Sequence, residues 1–221
     1  MPSPTAVHRQ VEKLTADFVG LGLCNSQNFP SLRVDGDFAE ISYSGVTDLS
    51  FVLKNQPYRD MYQELVETRA YNMLMVDGAI IQLMYQFQNG ELTKHRLAFF
   101  PSPDLDEYQN NAEIYELDEI YADIVYRNII AFPIRFDFDG RQEVYQEIHH
   151  PKSHLTLGQY KNCRIPVHVP VTPYLFLSFI LRNFYNTAFK KHSENITAFK
   201  DSFEECIFPA ERSIFHLSYV N

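Results

Sequence analysis

Arg135, Asp137 and Asp139 alternate along one short run and are followed by Glu147, His149, His150, His154 and Thr156, with Arg164 just beyond. Those residue types suit two chemistries. Carboxylates with imidazoles can hold a divalent metal that activates water for phosphodiester cleavage. Alternatively, histidines can act as general base and acid while an arginine stabilises the charge that develops on phosphorus. The spacing matches no ligand motif such as HExxH, and the same residues also suit a solvated sheet face. The candidate catalytic residues are Arg135, Asp137, His150, His154 and Thr156, joined by His216 from a second pattern.

That pattern is His-apolar-hydroxyl-apolar, present as His154-Leu155-Thr156-Leu157 and again as His216-Leu217-Ser218-Tyr219. On a strand, alternation puts the imidazole and the hydroxyl on one face. Two such pairs resemble the paired-histidine phosphoesterases, which open cyclic phosphodiesters without metal. The resemblance implies His154 and His216 as base and acid, with Thr156 and Ser218 holding phosphate oxygens. A longer unit comprises His150-Pro-Lys-Ser-His154-Leu-Thr-Leu-Gly158, Cys163-Arg-Ile-Pro-Val167, Pro173 and Phe179-Ile-Leu-Arg-Asn-Phe-Tyr185. It resembles the signature of a bacterial family of unknown function associated with mobile or antiphage defence loci. The Arg-x-Asp strand followed by His-Pro-x-x-His is similar to a group of small toxins of toxin–antitoxin pairs. These resemblances imply a bacterial, cytosolic accessory protein and bring no established activity.

The elements that must position these residues follow from periodicity. Val7, Val11, Leu14, Phe18 and Leu21 predict a helix over 5–21 with Thr5 as its cap, and Pro57 opens a second helix. Residues 37–43 alternate as a strand. Runs at 71–76, 79–87 and 91–99 are separated by Asp77-Gly78 and Asn89-Gly90, which predicts an antiparallel meander. Residues 134–139 alternate strictly, and 144–150 and 153–157 are expected as further strands with Pro151 between them. A helix apolar nearly all round its first three turns is expected over 174–191, an amphipathic helix over 196–207 and a closing strand over 213–219. The expected fold class is α+β, mainly antiparallel sheet with helices packed on one face, in a single domain over 1–221.

Bulk properties narrow the function classes. With 45% hydrophobic and 21% charged residues, the chain of 221 residues can bury an ordinary core. Its net charge of −9 excludes duplex binding through a generic basic surface. Eight carboxylates lie between Asp104 and Asp123, marking segment 104–127 as a candidate surface for a protein partner. Three separated cysteines with no CxxC pair argue against a zinc ribbon or a disulfide framework. The opening residues carry no basic region or apolar run, and no stretch is long enough for a membrane span, so a cytoplasmic location is expected. Glycine-rich phosphate loops, GxSxG elbows and dinucleotide fingerprints are absent, and no pattern designates a cofactor. Two classes stay open: an enzyme acting on RNA or a nucleotide phosphodiester, and a non-catalytic partner-binding subunit of a defence or toxin–antitoxin system.

Overall fold

The computed structural model describes residues 1–43, 56–104, 121–124 and 130–219, with 113 and 117 singly between them. Helix α1 (Pro4–Gly20) starts where the Ser3 hydroxyl accepts the Ala6 N–H at 3.2 Å and proline occupies the first turn. Its Val7, Val11, Leu14 and Phe18 recur on one face and are fully buried. Strands β1 (Cys24–Gln27), β2 (Pro30–Asp35) and β3 (Phe38–Tyr43) follow, then helix α2 (Tyr58–Glu67). The meander is β4 (Met73–Met75), β5 (Ile80–Gln88) and β6 (Glu91–Phe100). At the β5–β6 turn, Asn89 and Gly90 both take positive φ, 54° and 79°, as a tight hairpin of this twist requires.

Strand β7 (Ile134–Asp139) joins β6 across a long connection, and β8 (Ser153–Leu157) and β9 (Ile165–Pro166) extend the sheet. The order is β1-β4-β5-β6-β7-β8-β9, with β2 on β3 and β3 on β5, and every ladder is antiparallel. The fold is therefore α+β with an open antiparallel sheet. Helix α3 (Pro173–Phe184) leads into α4 (Asn186–His192), and α5 (Pro209–Arg212) is a single turn. Among the described residues no helix is long and apolar enough to cross a membrane.

Strand alternation divides the core between two faces. On one, Leu83, Tyr85, Leu97, Phe99, Phe136 and Leu155 meet α1 and α3. On the other, Ile80, Ala98, Phe100 and Tyr43 meet Met61 and Leu65 of α2. Among the described residues, helix α2 packs on one corner of that second face. The remainder carries Lys94 and Arg96 of β6, Arg135 and Asp137 of β7, and His154 and Thr156 of β8.

Several expectations are corrected. Residues 144–150 form no strand: they make turns closed by a single bridge between Gln146 and His150, with Ile148 at φ 67°. Both edges of β7 are already taken by β6 and β8, so this segment has no ladder to join. The helix over 174–191 breaks at Tyr185, whose φ of −132° and ψ of 52° leave the helical region. There the Tyr185 hydroxyl donates to the buried Asp77 carboxylate at 2.8 Å, and Asp123 N–H takes the Phe184 carbonyl at 2.8 Å. Residues 196–207 are not helical after Asn195, because their backbone bonds elsewhere: Thr197 N–H to Asp17 at 2.9 Å and Cys206 N–H to the His168 carbonyl at 3.0 Å. Phe203 and Ile207 are nonetheless buried. In place of a closing strand over 213–219 there is one parallel bridge, Val167 to Leu217. The acidic segment 104–127 lies mostly outside the described residues.

Two stability outcomes follow. Phe176 is fully buried and edge-on to Phe136, centroids 6.0 Å apart, so Phe176→Ala should cost about 3–5 kcal/mol in urea unfolding. His95 sits in the α1/α3 core between Tyr85 and Phe138, its Nε2 accepting the Val171 N–H at 3.1 Å. Burial pushes its pKa down from 6.5 to about 3, against the pull of Asp137. The unfolded chain thus binds a proton that the fold refuses. Stability is complete above pH 6.5 and declines as the pH falls from there toward 3, by at most about 1.4 kcal/mol per pH unit for this group. Unfolding between pH 7.5 and 5 should show that decline, and His95→Gln, though weaker at pH 7.5, should flatten it.

Candidate functional site

The register of β6, β7 and β8 aligns side chains across the polar part of this second face. Arg96 is opposite Asp137, which is opposite His154; in the next row Ala98 is opposite Arg135, which is opposite Thr156. Because paired residues project to the same side, Arg96, Asp137 and His154 form one row and Arg135 and Thr156 another. The loop between β8 and β9 folds over this face, leaving a pocket of about 250 Å³. Its lining includes Arg135, Asp137, His150, His154 and Thr156 together.

Asp137 is the anchor. Arg96 Nε donates to one carboxylate oxygen at 3.0 Å, and Arg135 Nε lies 3.8 Å from the other. Burial pushes the Asp137 carboxyl up, but the charges of Arg96 and Arg135 and the Arg96 hydrogen bond push it down further, so it stays ionised below the usual carboxylate range. Burial works against the charge of Arg135; Asp137 supports it, while Arg96 and Arg164 oppose it. Three guanidinium groups thus share one field with one central carboxylate. Lys94 and Lys161 also line the pocket, and the second lining carboxylate, Asp139, is bound by Arg141 at 2.6 Å.

The two imidazoles have fixed tautomers. His154 Nδ1 is 2.9 Å from the Pro151 carbonyl and His150 Nδ1 is 2.6 Å from the Val144 carbonyl. A carbonyl only accepts, so each Nδ1 carries the proton and each Nε2 of the neutral ring keeps a lone pair. Among the described residues neither Nε2 has a hydrogen-bond partner. The ring centroids are 5.2 Å apart. Burial lowers the His154 pKa, the nearby charges of His150 and Arg164 add to the effect, and Asp137 and the Pro151 bond counter it only in part. His154 is therefore a neutral imidazole at physiological pH, suited to accepting a proton.

His216 is not among the pocket's lining residues. Its segment runs beyond β9, where Leu217 N–H donates to the Pro166 carbonyl at 2.8 Å. There Ser218 Oγ is 3.4 Å from His168 Nδ1, and His168 Nε2 is 2.8 Å from Glu205. The two His-apolar-hydroxyl pairs thus occupy separate places, and only the first belongs to the pocket. Among the described residues no group of three His, Cys, Asp or Glu side chains is gathered to hold a metal ion. The two imidazoles, with ring centroids 5.2 Å apart and both Nδ1 positions bonded, give the acid–base branch a geometry.

Sequence reasoning passed over Arg96 and Lys94. Their alternation with His95 and Leu97 in the 91–99 run was visible, but nothing local reveals that this strand pairs with 134–139. It also passed over Tyr160 and Lys161, which lie in the β8–β9 loop and enter the pocket because that loop folds back.

The electrostatic linkage has a direct readout. Since Asp137 is the group that supports the His154 imidazolium, Asp137→Asn should move the His154 titration further below its already lowered midpoint. Imidazole proton shifts followed by NMR across pH measure it; an upward or absent movement would contradict the arrangement.

Comparison with curated proteins and with solved structures finds no match. Residues 23–219 match the family described as an uncharacterized conserved protein, DUF2290, which spans the whole sheet and the pocket, and the chain belongs to that family.

Proposed function

We propose that the pocket binds a phosphodiester of RNA or of a nucleotide and cleaves it by acid–base chemistry at His154 and His150. The observation that carries this reading is the surplus of cationic groups: Arg96, Arg135 and Arg164 around the lone central carboxylate of Asp137, beside two imidazoles whose Nδ1 positions are already committed. Such a field is completed by an anion, and a phosphate matches guanidinium geometry.

In this reading Arg135 and the Thr156 hydroxyl hold the non-bridging oxygens. His154 Nε2 takes the proton of the ribose 2′-hydroxyl as the O2′–P bond forms. The P–O5′ bond breaks, and His150, entering as imidazolium, gives its Nε2 proton to the departing O5′. The products are a 2′,3′-cyclic phosphate and a 5′-hydroxyl, and solvent returns each imidazole to its starting state. The arginines offset the negative charge that accumulates on phosphorus.

The setting that suits this chemistry is an effector or accessory protein of the bacterial cytoplasm, of the defence or toxin–antitoxin kind; support for it comes from the signature over residues 150–185. A second reading is a non-catalytic subunit that binds a protein partner through segment 104–127. It is favoured by the net charge of −9, which repels polyanions at long range.

A short end-labelled RNA incubated with the full chain in the presence of a chelator separates the two. Cleavage to 2′,3′-cyclic phosphate ends is expected, with His154→Ala slowing it by about 10²–10⁴-fold. An intact RNA at high enzyme concentration would overturn the catalytic reading.

A further inference from the structure

The loop between β8 and β9, residues 158–164, carries a feature that phosphodiester chemistry alone does not use. Tyr160 is 77% exposed, unusual for so large a ring, yet it lies on the rim of the cationic pocket. Its ring rests against Gly158: a Cβ added there would stand 3.4 Å from Tyr160 Cδ2, and the backbone at Gly158 has φ 64°. The loop is held in place on both sides of the ring. Gln159 Nε2 donates to the Gln56 carbonyl at 2.9 Å, Leu157 N–H points at Cys163 Sγ at 3.4 Å, and Cys163 N–H closes onto the Tyr160 carbonyl at 3.4 Å. One face of an aromatic ring is thus presented to solvent from an anchored loop, beside Lys161 and Arg164.

Next to the pocket is a second cavity of about 590 Å³, which shares His150 and Arg164 with it. Its other polar walls are Gln146, His149 and Asn162, two amides and an imidazole able to donate and accept hydrogen bonds. The turn that forms its outer wall holds Ile148 at φ 67°, a conformation costly for a β-branched residue and retained here at the cavity edge.

A cationic pocket, an exposed aromatic face and an adjoining cavity walled by amides suit two successive bases and the phosphate between them. Resting on the phosphodiester reading of the pocket, we infer that the 158–164 loop is a base-reading loop and that the ligand is an unpaired dinucleotide step within single-stranded RNA. Tyr160 stacks on one base, Gln146 and Asn162 bond the edge of a base in the second cavity, and the intervening phosphate lies among the arginines. A duplex cannot satisfy this arrangement, because its bases are already stacked and their edges paired.

Binding to the full-length protein tests this, with a 2′-O-methylated single strand that lacks the attacking hydroxyl, the same strand made abasic, a blunt duplex and a mononucleotide as probes. The base-bearing strand is expected to bind on the order of tenfold more tightly than the abasic strand. Tyr160→Ala should reduce that difference without weakening the abasic strand, and Tyr160→Phe should restore it. Asn162→Ala should change the preference among bases. Because Tyr160 is exposed, an unchanged thermal melt is expected for its variants. Equal affinity for base-bearing and abasic strands, indifference to Tyr160→Ala, or a duplex binding as tightly as the strand would overturn the inference. A mononucleotide matching the strand would overturn its assignment to a polymer. Tyr160-dependent binding of a strand that is never cut in its 2′-hydroxyl form would sink the catalytic reading alone, whereas cutting without any dependence on the base would sink this inference alone.

Discussion

Antiparallel pairing of β6, β7 and β8 in one register is the constraint on which the site depends. Phe136 must meet Phe176 and Phe179 of α3, and Leu97 and Leu155 are its register partners on the same buried face. Once those three are directed inward, alternation leaves no freedom for their neighbours. Arg96, Asp137 and His154 must line up on the opposite side, and so must Arg135 and Thr156. A slip of one residue in β7 would drive Arg135 and Asp137 into the apolar core and expose Phe136 and Phe138. The burial that holds the fold together therefore also sets the geometry of the polar row.

The same face changes character along the sheet among the described residues. Near β4 and the start of β5, the residues facing α2 are apolar, and Met61 and Leu65 close over Ile80 and Phe100. Ala98 marks the boundary. Beyond it the rows carry charge, and a helix laid on them would have to strip water from several guanidinium groups with a single central carboxylate as compensation. Among the described residues, the loops at 144–150 and 158–164 line the rim of the pocket there. They bring polar and aromatic groups that tolerate water.

What could be read from the chain follows the range of the interactions involved. The meander was legible because Asp77-Gly78 and Asn89-Gly90 are local turn chemistry between alternating runs, and β7 and β8 were legible with their bounds because their alternation is strict. The gathering of Arg135, Asp137, His154 and Thr156 needed only that β7 and β8 be neighbours. Arg96 was hidden because its place opposite Asp137 depends on a pairing between strands separated by a long connection. The 144–150 segment misled because period-two alternation reports a preference for extended backbone and is silent about whether a sheet edge is free. The 196–207 segment misled in the other direction: Ile196, Phe199 and Phe203 sit at helical spacing, yet the chain there bonds to Asp17 and His168 and reaches its apolar contacts as irregular backbone. His216 shows the weakness of a short motif, since the same four-residue pattern occupies a strand at 154 and a single bridge at 217.

An acidic protein with a cationic pocket combines two electrostatic ranges. At physiological ionic strength charges are screened over about 8 Å, so in the proposed reading the arginines around Asp137 would act on a phosphate already in the pocket, whereas the net charge of −9 acts on whatever approaches the whole molecule. Long or double-stranded polyanions meet that repulsion along much of their length and gain only one pocket's attraction. A short flexible strand meets less of it and can turn a single phosphate inward. In the proposed reading, attraction confined to this pocket within an overall negative chain would itself be a selectivity device: it would weaken non-specific association while leaving local affinity to the contacts that Asp137, Arg135 and the two imidazoles hold in place.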